Sequence, residues 1–209
     1  MAAYKNIIFD LGGVMVDFDP NEYLMEMFHD PIVERKLYDM TFGSEEWQLV
    51  DKGEITRFAA DTAMLERTRI CGFGFEGQEI VDHWPNILRT RRSTVDIAAQ
   101  LKAQGFAIYC LSNIAQDTAV LLQRRNFWEL FDGEVLSCDV NMLKPQPEIY
   151  QTLLEKYDLK AEECIFIDDN QKNVDAANAL GIHAITMTKD AADLINALAD
   201  VDIHVTAEA

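Results

Sequence analysis

No apolar run in this 209-residue chain approaches the roughly 20 residues that a membrane-spanning helix requires. Basic side chains are also scarce, with 18 Lys and Arg against 36 Asp and Glu, a formal charge of −18. So few cations cannot neutralise a phosphate backbone or an anionic lipid surface, which argues against nucleic acid and membrane as partners. An anionic small molecule is compatible only with a site that concentrates its own positive charge. Cysteine is sparse: Cys71, Cys110, Cys138 and Cys164 show no CxxC spacing, so neither a zinc site nor a disulfide framework is indicated. Cys110 and Cys164 lie within apolar runs, where a reduced thiol behaves as a small hydrophobe. The four histidines, at 29, 83, 183 and 204, show no ligand spacing. Asp10 interrupts the first apolar run and no small-residue cleavage site follows, so no secretory signal is expected and a reducing cytoplasm is the expected compartment.

What is present begins with Ile7 to Asp17, IIFDLGGVMVD. An apolar run ends on Asp10, two glycines follow, and a second apolar run covers Val14 to Val16. A buried strand that delivers an acid to its carboxyl end and then turns on glycine is how open α/β sheets place reactive groups. An ordinary turn after a strand has the same composition, so the rest of the chain must decide.

From about 18 to 90 the pattern is helical throughout. Asp19-Pro20 and Asp30-Pro31 each read as an N-cap followed by proline at the first helical position. Ser44 opens a further helix through Trp47 to about Lys52, and Gly53 closes it. Ile55, Phe58, Ala59, Thr62 and Leu65 continue at helical spacing. The segment Gly72–Gly77 fits GxGxxG formally but follows a helix rather than a strand, so it is read as a loop and not as a dinucleotide site. From Ser93, expected to cap a helix with Asp96, the chain alternates. Apolar runs FAIYCLSN, GEVLS, CIFIDDN and HAITM are separated by helices ending near Gly105, Tyr157 and Gly181. Such alternation predicts an α/β fold, a Rossmann-like three-layer core around a parallel sheet. The predicted division is a core of 1–17 and 91–209 with an all-helical insertion, 18–90, over the carboxyl ends of the strands.

Three strand ends then carry polar groups on one edge of the sheet: Asp10, Ser112-Asn113 and Asp168-Asp169. Lys144 precedes Pro145 and is held extended. Taken singly, each has a plain structural reading as a cap, a solvated lysine or a turn. Taken together they offer carboxylates for a hard divalent cation, a lysine for anionic charge and a hydroxyl for phosphate. Three converging carboxylates repel unless a cation neutralises them, which favours Mg²⁺.

The motifs FDLGGV, LSN, LKPQPEIY and IDDNQKN, in that order over the whole length, resemble those of the haloacid dehalogenase (HAD) superfamily of hydrolases. The resemblance implies a HAD-like core with a C1-type helical cap. It implies Asp10 as a nucleophile that forms an aspartyl-phosphate, Ser112 and Asn113 as phosphate-binding residues, and Lys144 steadying both nucleophile and phosphate. Asp10, Asp168 and Asp169, with the Gly12 carbonyl, would hold Mg²⁺. The DLGG-type first motif and the GEIT segment are most similar to the branch of sugar-phosphate (glucose-1-phosphate) phosphatases and epoxide hydrolase amino-terminal domains. The implied activity is Mg²⁺-dependent hydrolysis of small phosphorylated metabolites, with sugar phosphates foremost.

One position departs from the family pattern. Phosphatases of this superfamily usually carry a second aspartate, a general acid and base, two residues after the nucleophile, and here Gly12 stands there. Such help is worth ~10²–10⁴ in rate, whereas positioning and charge stabilisation dominate phosphoryl transfer. Slow turnover or a preference for good leaving groups is therefore expected rather than inactivity. A non-catalytic phosphate-binding protein that kept the fold is the competing reading. A metal-free dehalogenase fits poorly with paired aspartates, and a phosphonate hydrolase needs a cap lysine, for which Lys36 and Lys52 are the candidates. These two lysines, with Trp47, Arg89, Arg91 and Arg92, are read as packing or surface residues. The oligomeric state is not readable.

Overall fold

The computed structural model describes residues 4–206. Five strands, β1 (Asn6–Phe9), β2 (Ala107–Ser112), β3 (Gly133–Leu136), β4 (Cys164–Asp168) and β5 (His183–Thr186), form one parallel sheet in the order β3-β2-β1-β4-β5. Strands covered on both faces must be apolar on both, which is why NIIF and CIFID lack polar alternation. Ile7 and Phe9 join one core cluster with Ile97, Leu101 and Leu194, whereas Ile8 joins a second with Tyr109, Tyr150, Leu153 and Phe166. Each fully buried side chain of this size contributes ~1.5–3 kcal/mol. The first cluster draws on α6 (Arg92–Ala103) and α11 (Ala191–Ala199), and the second on α9 (Pro147–Lys156) and α10 (Gln171–Ala179). These are the three layers expected. With β1 central and its successors on opposite sides, the crevice at its carboxyl end is the place where such sheets bind ligands.

Between β1 and α6 the described chain is helical: α1 (Pro20–Phe28), α2 (Pro31–Met40), α3 (Glu45–Asp51), α4 (Arg57–Ile70) and α5 (Gly74–His83), followed by a 3-10 turn over Trp84–Ile87. The expected caps form. Asp19 accepts from the Glu22 N–H, Asp30 from Ile32 and Val33, and Ser44 from Trp47. The outgoing and returning chain pair with each other through an antiparallel bridge between Val16 and Thr90. Asp17 N–H donates to the Arg89 carbonyl at 2.7 Å and Arg91 N–H to the Met15 carbonyl at 3.0 Å. No described helix is long and apolar enough to cross a membrane.

Two local expectations are corrected. Ser93 does not cap α6: Arg91 holds the N-cap position, because its pairing with Met15 fixes an extended backbone directly before the helix, and Ser93 falls inside it. The glycine-rich segment 72–77 is not wholly a loop either, since α5 begins at Gly74 and includes Gly77. A Cβ on Gly77 would collide with the Thr68 side chain, so this glycine lets α5 lie close against α4.

Candidate active site

Asp10 follows β1 directly, its N–H still bound to the Ile167 carbonyl of β4 at 2.9 Å. The chain then coils in one helical turn, with Val14, Met15 and Val16 N–H groups converging on the Leu11 carbonyl. Gly13 has φ +70°, and a Cβ there would overlap the Asp169 carboxylate. Only glycine lets this turn approach the acid at the end of β4 so closely.

Lys144 reaches the same point from the loop before α9. Its Nζ lies 2.9 Å from Asp10 Oδ1 and 2.6 Å from Asp168 Oδ2, and donates to the Leu111 carbonyl at 2.8 Å. An ammonium has three donors, and all three are used. The side chain is 1% exposed, so the pairing is charge-assisted and shielded from water. Asp168 Oδ1 further accepts from the Asn170 N–H at 2.8 Å and the Asn173 side-chain amide at 3.0 Å. Oxygens of Asp10, Asp168 and Asp169 all lie within 4.8 Å of one another. Burial pushes the Asp10 carboxyl up to about 7, with Asp168 and Asp169 adding to the rise and Lys144 opposing it. Burial opposes the charge on Lys144, yet Asp10 and Asp168 outweigh it and hold the ammonium above the ordinary lysine range. Asp169 is also raised, by burial first and then by Asp168. Three carboxylates thus face one ammonium, a surplus of negative charge suited to a cation bound by oxygen donors.

Asn113 does not cap a helix. Its Nδ2 donates to the Lys144 carbonyl at 3.0 Å and its Oδ1 accepts from the Lys144 N–H at 2.8 Å, a two-bond staple from the end of β2 to the lysine loop. The Lys144–Pro145 peptide in that loop is cis. Ser112 is buried, and with Gly12 and Asn113 it borders a cavity of about 60 Å³ beneath the helical insertion. The other walls include Phe18, Trp47, Trp84, Leu88, Asp51 and Arg57. A larger, open cleft of about 1020 Å³ reaches Gly13 and Asp169 from the other side, lined by Asp17, Arg89, Arg91 and Lys189 among others.

Every residue expected at the site therefore lies at the carboxyl edge of the sheet, within or bordering this cluster. Several contacts around the site were not expected. Asn173, within the motif IDDNQKN, fixes the Asp168 carboxylate. Arg91 donates to the carbonyls of Gly13 and Lys189 and so holds the glycine turn. Trp47 stacks its indole against Phe18 while facing the cavity. Arg57 lies over the Trp47 and Trp84 rings and pairs with Asp117 at 3.1 Å. No spacing rule links residues 57 and 117, so no sequence signal marks that pair. Lys36 and Lys52 line neither cavity, and Lys52 pairs with Glu54 at 2.5 Å.

Comparison with known proteins agrees with this geometry. The model of the haloacid dehalogenase-like hydrolase family matches residues 4–181. The sesquiterpene phosphatase astK of Aspergillus oryzae is 32% identical over 189 residues, covering 88% of this chain and 90% of that protein. Bifunctional epoxide hydrolase 2 of Rattus norvegicus is 28% identical over 78% of this chain, which spans only 32% of that longer protein. A HAD family enzyme from Bacteroides thetaiotaomicron, solved with magnesium and inorganic phosphate, superposes with a TM-score of 0.68 at 25% identity, over 89% of this chain and 95% of that one. A family match of this extent, over a fold and an acid cluster that agree with it, makes the chain a member of the haloacid dehalogenase-like hydrolases.

Proposed function

We propose that the chain is a Mg²⁺-dependent phosphatase of small phosphorylated metabolites, sugar phosphates foremost, working through an aspartyl-phosphate on Asp10. The observation that carries this reading is the buried ammonium of Lys144 held between Asp10 and Asp168, 2.9 and 2.6 Å away. It keeps one oxygen of Asp10 fixed, so the other can act as the nucleophile. Its positive charge lies beside the position of the incoming phosphoryl group. In the proposed division, 1–17 and 91–209 form the catalytic core and 18–90 the cap.

An Asp10 oxygen attacks phosphorus as the bond to the leaving-group oxygen breaks. Water then attacks the aspartyl-phosphate, freeing the carboxylate and inorganic phosphate. Ser112 and the main chain of Asn113 would hold phosphoryl oxygens from the end of β2, the Asn113 side chain being taken up by Lys144, and Lys144 would stabilise the charge shared between nucleophile and phosphate. Asp10, Asp168, Asp169 and the Gly12 carbonyl would hold Mg²⁺, whose charge neutralises the carboxylates and the phosphoryl oxygens when bound. The phosphatase named among the relatives and the magnesium and phosphate of the Bacteroides enzyme support the same chemistry.

The test is turnover of p-nitrophenyl phosphate and a sugar-phosphate panel with Mg²⁺, for the native chain and for Asp10→Asn. Activity that disappears in the variant and on chelation is the expected result. Phosphate binding without turnover in both proteins would replace this reading with that of a non-catalytic phosphate-binding protein.

A further inference from the structure

We propose that Asp51, the last residue of α3 in the helical insertion, is the acid that protonates the leaving-group oxygen in place of the side chain missing at Gly12. The inference rests on the phosphatase reading above and adds a catalytic residue to it. Its basis is the composition of the cavity that Gly12, Ser112 and Asn113 border. Among the described residues lining that space, Asp51 is the sole carboxylate, and no His, Lys, Tyr or Cys faces it. The remaining walls are apolar or carry groups that do not exchange protons near neutral pH, namely the hydroxyls of Ser112 and Thr118, the Asn113 amide, the Arg57 guanidinium and the indoles of Trp47 and Trp84. If a protonating side chain serves this face, Asp51 is the one present.

The backbone around Asp51 is docked onto the sheet edge. The Ser137 hydroxyl, at the start of the short α8 (Ser137–Val140) after β3, donates to the Asp51 carbonyl, and the Asn141 amide donates to the Lys52 carbonyl at 2.9 Å. Gly53, at φ +75°, rests on the Cys138 carbonyl, where any Cβ would collide. The carboxyl group therefore comes from the insertion but is positioned by the core. Around it stand Arg57 from α4, Asp117 from α7 (Gln116–Leu122), the Trp47 indole and the Ala115 N–H. Burial raises the Asp51 carboxyl to about 7, with Arg57 opposing and Asp117 assisting. Such a group is protonated in part at neutral pH, as a general acid must be.

The proton balance closes over two steps. As Asp10 bonds to phosphorus and the ester bond breaks, the Asp51 proton passes to the departing oxygen, releasing an alcohol. The Asp51 carboxylate then takes a proton from the water that attacks the aspartyl-phosphate, which restores the acid.

The test compares kcat/KM, which reports the first chemical step, for p-nitrophenyl phosphate and for an alkyl phosphate such as glycerol phosphate. Aryl oxides leave without a proton, whereas alkoxides need one. In Asp51→Asn, the alkyl kcat/KM is expected to fall ~10²–10⁴-fold and the aryl value less than about tenfold. In the native enzyme the alkyl-to-aryl ratio should fall as pH rises through about 7, and in the variant it should be flat. That native-enzyme ratio tests the proposal even if Asp51→Asn fails to fold. Adding Gly12→Asp to Asp51→Asn should restore alkyl turnover, since a Cβ at residue 12 comes no closer than 3.4 Å to Phe18. Equal losses on both substrates would make Asp51 a structural residue only, and a native ratio independent of pH would overturn the proposal outright. Absence of Asp10-dependent aryl turnover in the native enzyme would instead sink the phosphatase reading, and this inference with it.

Discussion

Replacing Asn113 with Ala separates positioning from substrate binding at this site. Asn113 makes two hydrogen bonds to the Lys144 backbone, of 3.0 and 2.8 Å, in a partly buried setting. At ~0.5–1.5 kcal/mol each, their loss should cost ~1–3 kcal/mol of stability. In a protein of this size that lowers Tm by about 2–4 °C per kcal/mol. The kinetic effect should be larger. Lys144 Nζ sits where it does because its main chain is stapled to the end of β2, and a displacement of about 1 Å from productive geometry can cost ~10²-fold in rate. The expected signature is a fall in kcat with KM nearly unchanged. Asn113→Asp provides an internal control. One carboxylate oxygen can still accept from the Lys144 N–H, but the other now faces the Lys144 carbonyl with no proton to donate. It should therefore be at least as damaging as Ala, whereas a residue that merely accepted from a substrate hydroxyl would tolerate Asp. Thermal melts together with Michaelis profiles on p-nitrophenyl phosphate decide the matter. An unchanged Tm with a raised KM and native kcat would refute the staple and assign the Asn113 side chain to the substrate.

Three further outcomes follow from the same geometry. Lys144→Met leaves Asp10 and Asp168 buried without their cation, and urea unfolding at pH 7.5 should show a loss of ~3–5 kcal/mol; a loss below about 1 kcal/mol would mean the carboxylates are not dependent on it. Gly13→Ala should abolish Mg²⁺-dependent turnover while leaving most of the fold, because the new methyl overlaps Asp169 at a positive φ; native activity in that variant would contradict the close approach. The Arg67 guanidinium beside Glu46 holds its carboxyl below the ordinary glutamate value. A lowered acid contributes stability above its unfolded pKa and loses it as pH falls, so Arg67→Met should destabilise the chain more at pH 7 than at pH 3 in urea unfolding, by no more than ~1 kcal/mol at this partly exposed pair, whereas loss of the Arg67 bond to the Met40 carbonyl costs the same at both.

What was legible in the sequence, and what was not, divides along a physical line. The strand ends could be read because each is local. Apolar runs such as IIF and CIFI must be buried on both faces, and a buried run that stops on Asp10 or Asp168 can only present that acid at the sheet edge. Helix starts at Asp19, Asp30 and Ser44 are readable for the same reason, since a cap is satisfied within three residues. Ser93 does not act as a cap because α6 starts where Arg91 pairs with Met15, 76 residues earlier in the chain. Gly77 serves a helix contact rather than a loop, because its neighbour is a threonine on another helix.

The same line runs through the site itself. The cluster of Asp10, Lys144, Asp168 and Asp169 is assembled from strand ends and so announces itself in sequence order. The groups that would decide which leaving group is tolerated come together only through the docking of the insertion: Asp51 and Arg57 against Ala115 and Asp117, with Ser137 and Asn141 holding the loop between. None of these pairs shares a spacing rule, and each depends on two segments at least 58 residues apart. The glycine at position 12 therefore reads as a deficiency only while the core is considered alone. Once the insertion is docked, a carboxyl group from a different element borders the same cavity, and its burial leaves it partly protonated at neutral pH. A chain that takes its acid from the insertion ties chemistry to docking. Turnover of poor leaving groups should then depend on the contacts at Ser137 and Asn141, whereas turnover of aryl phosphates should not.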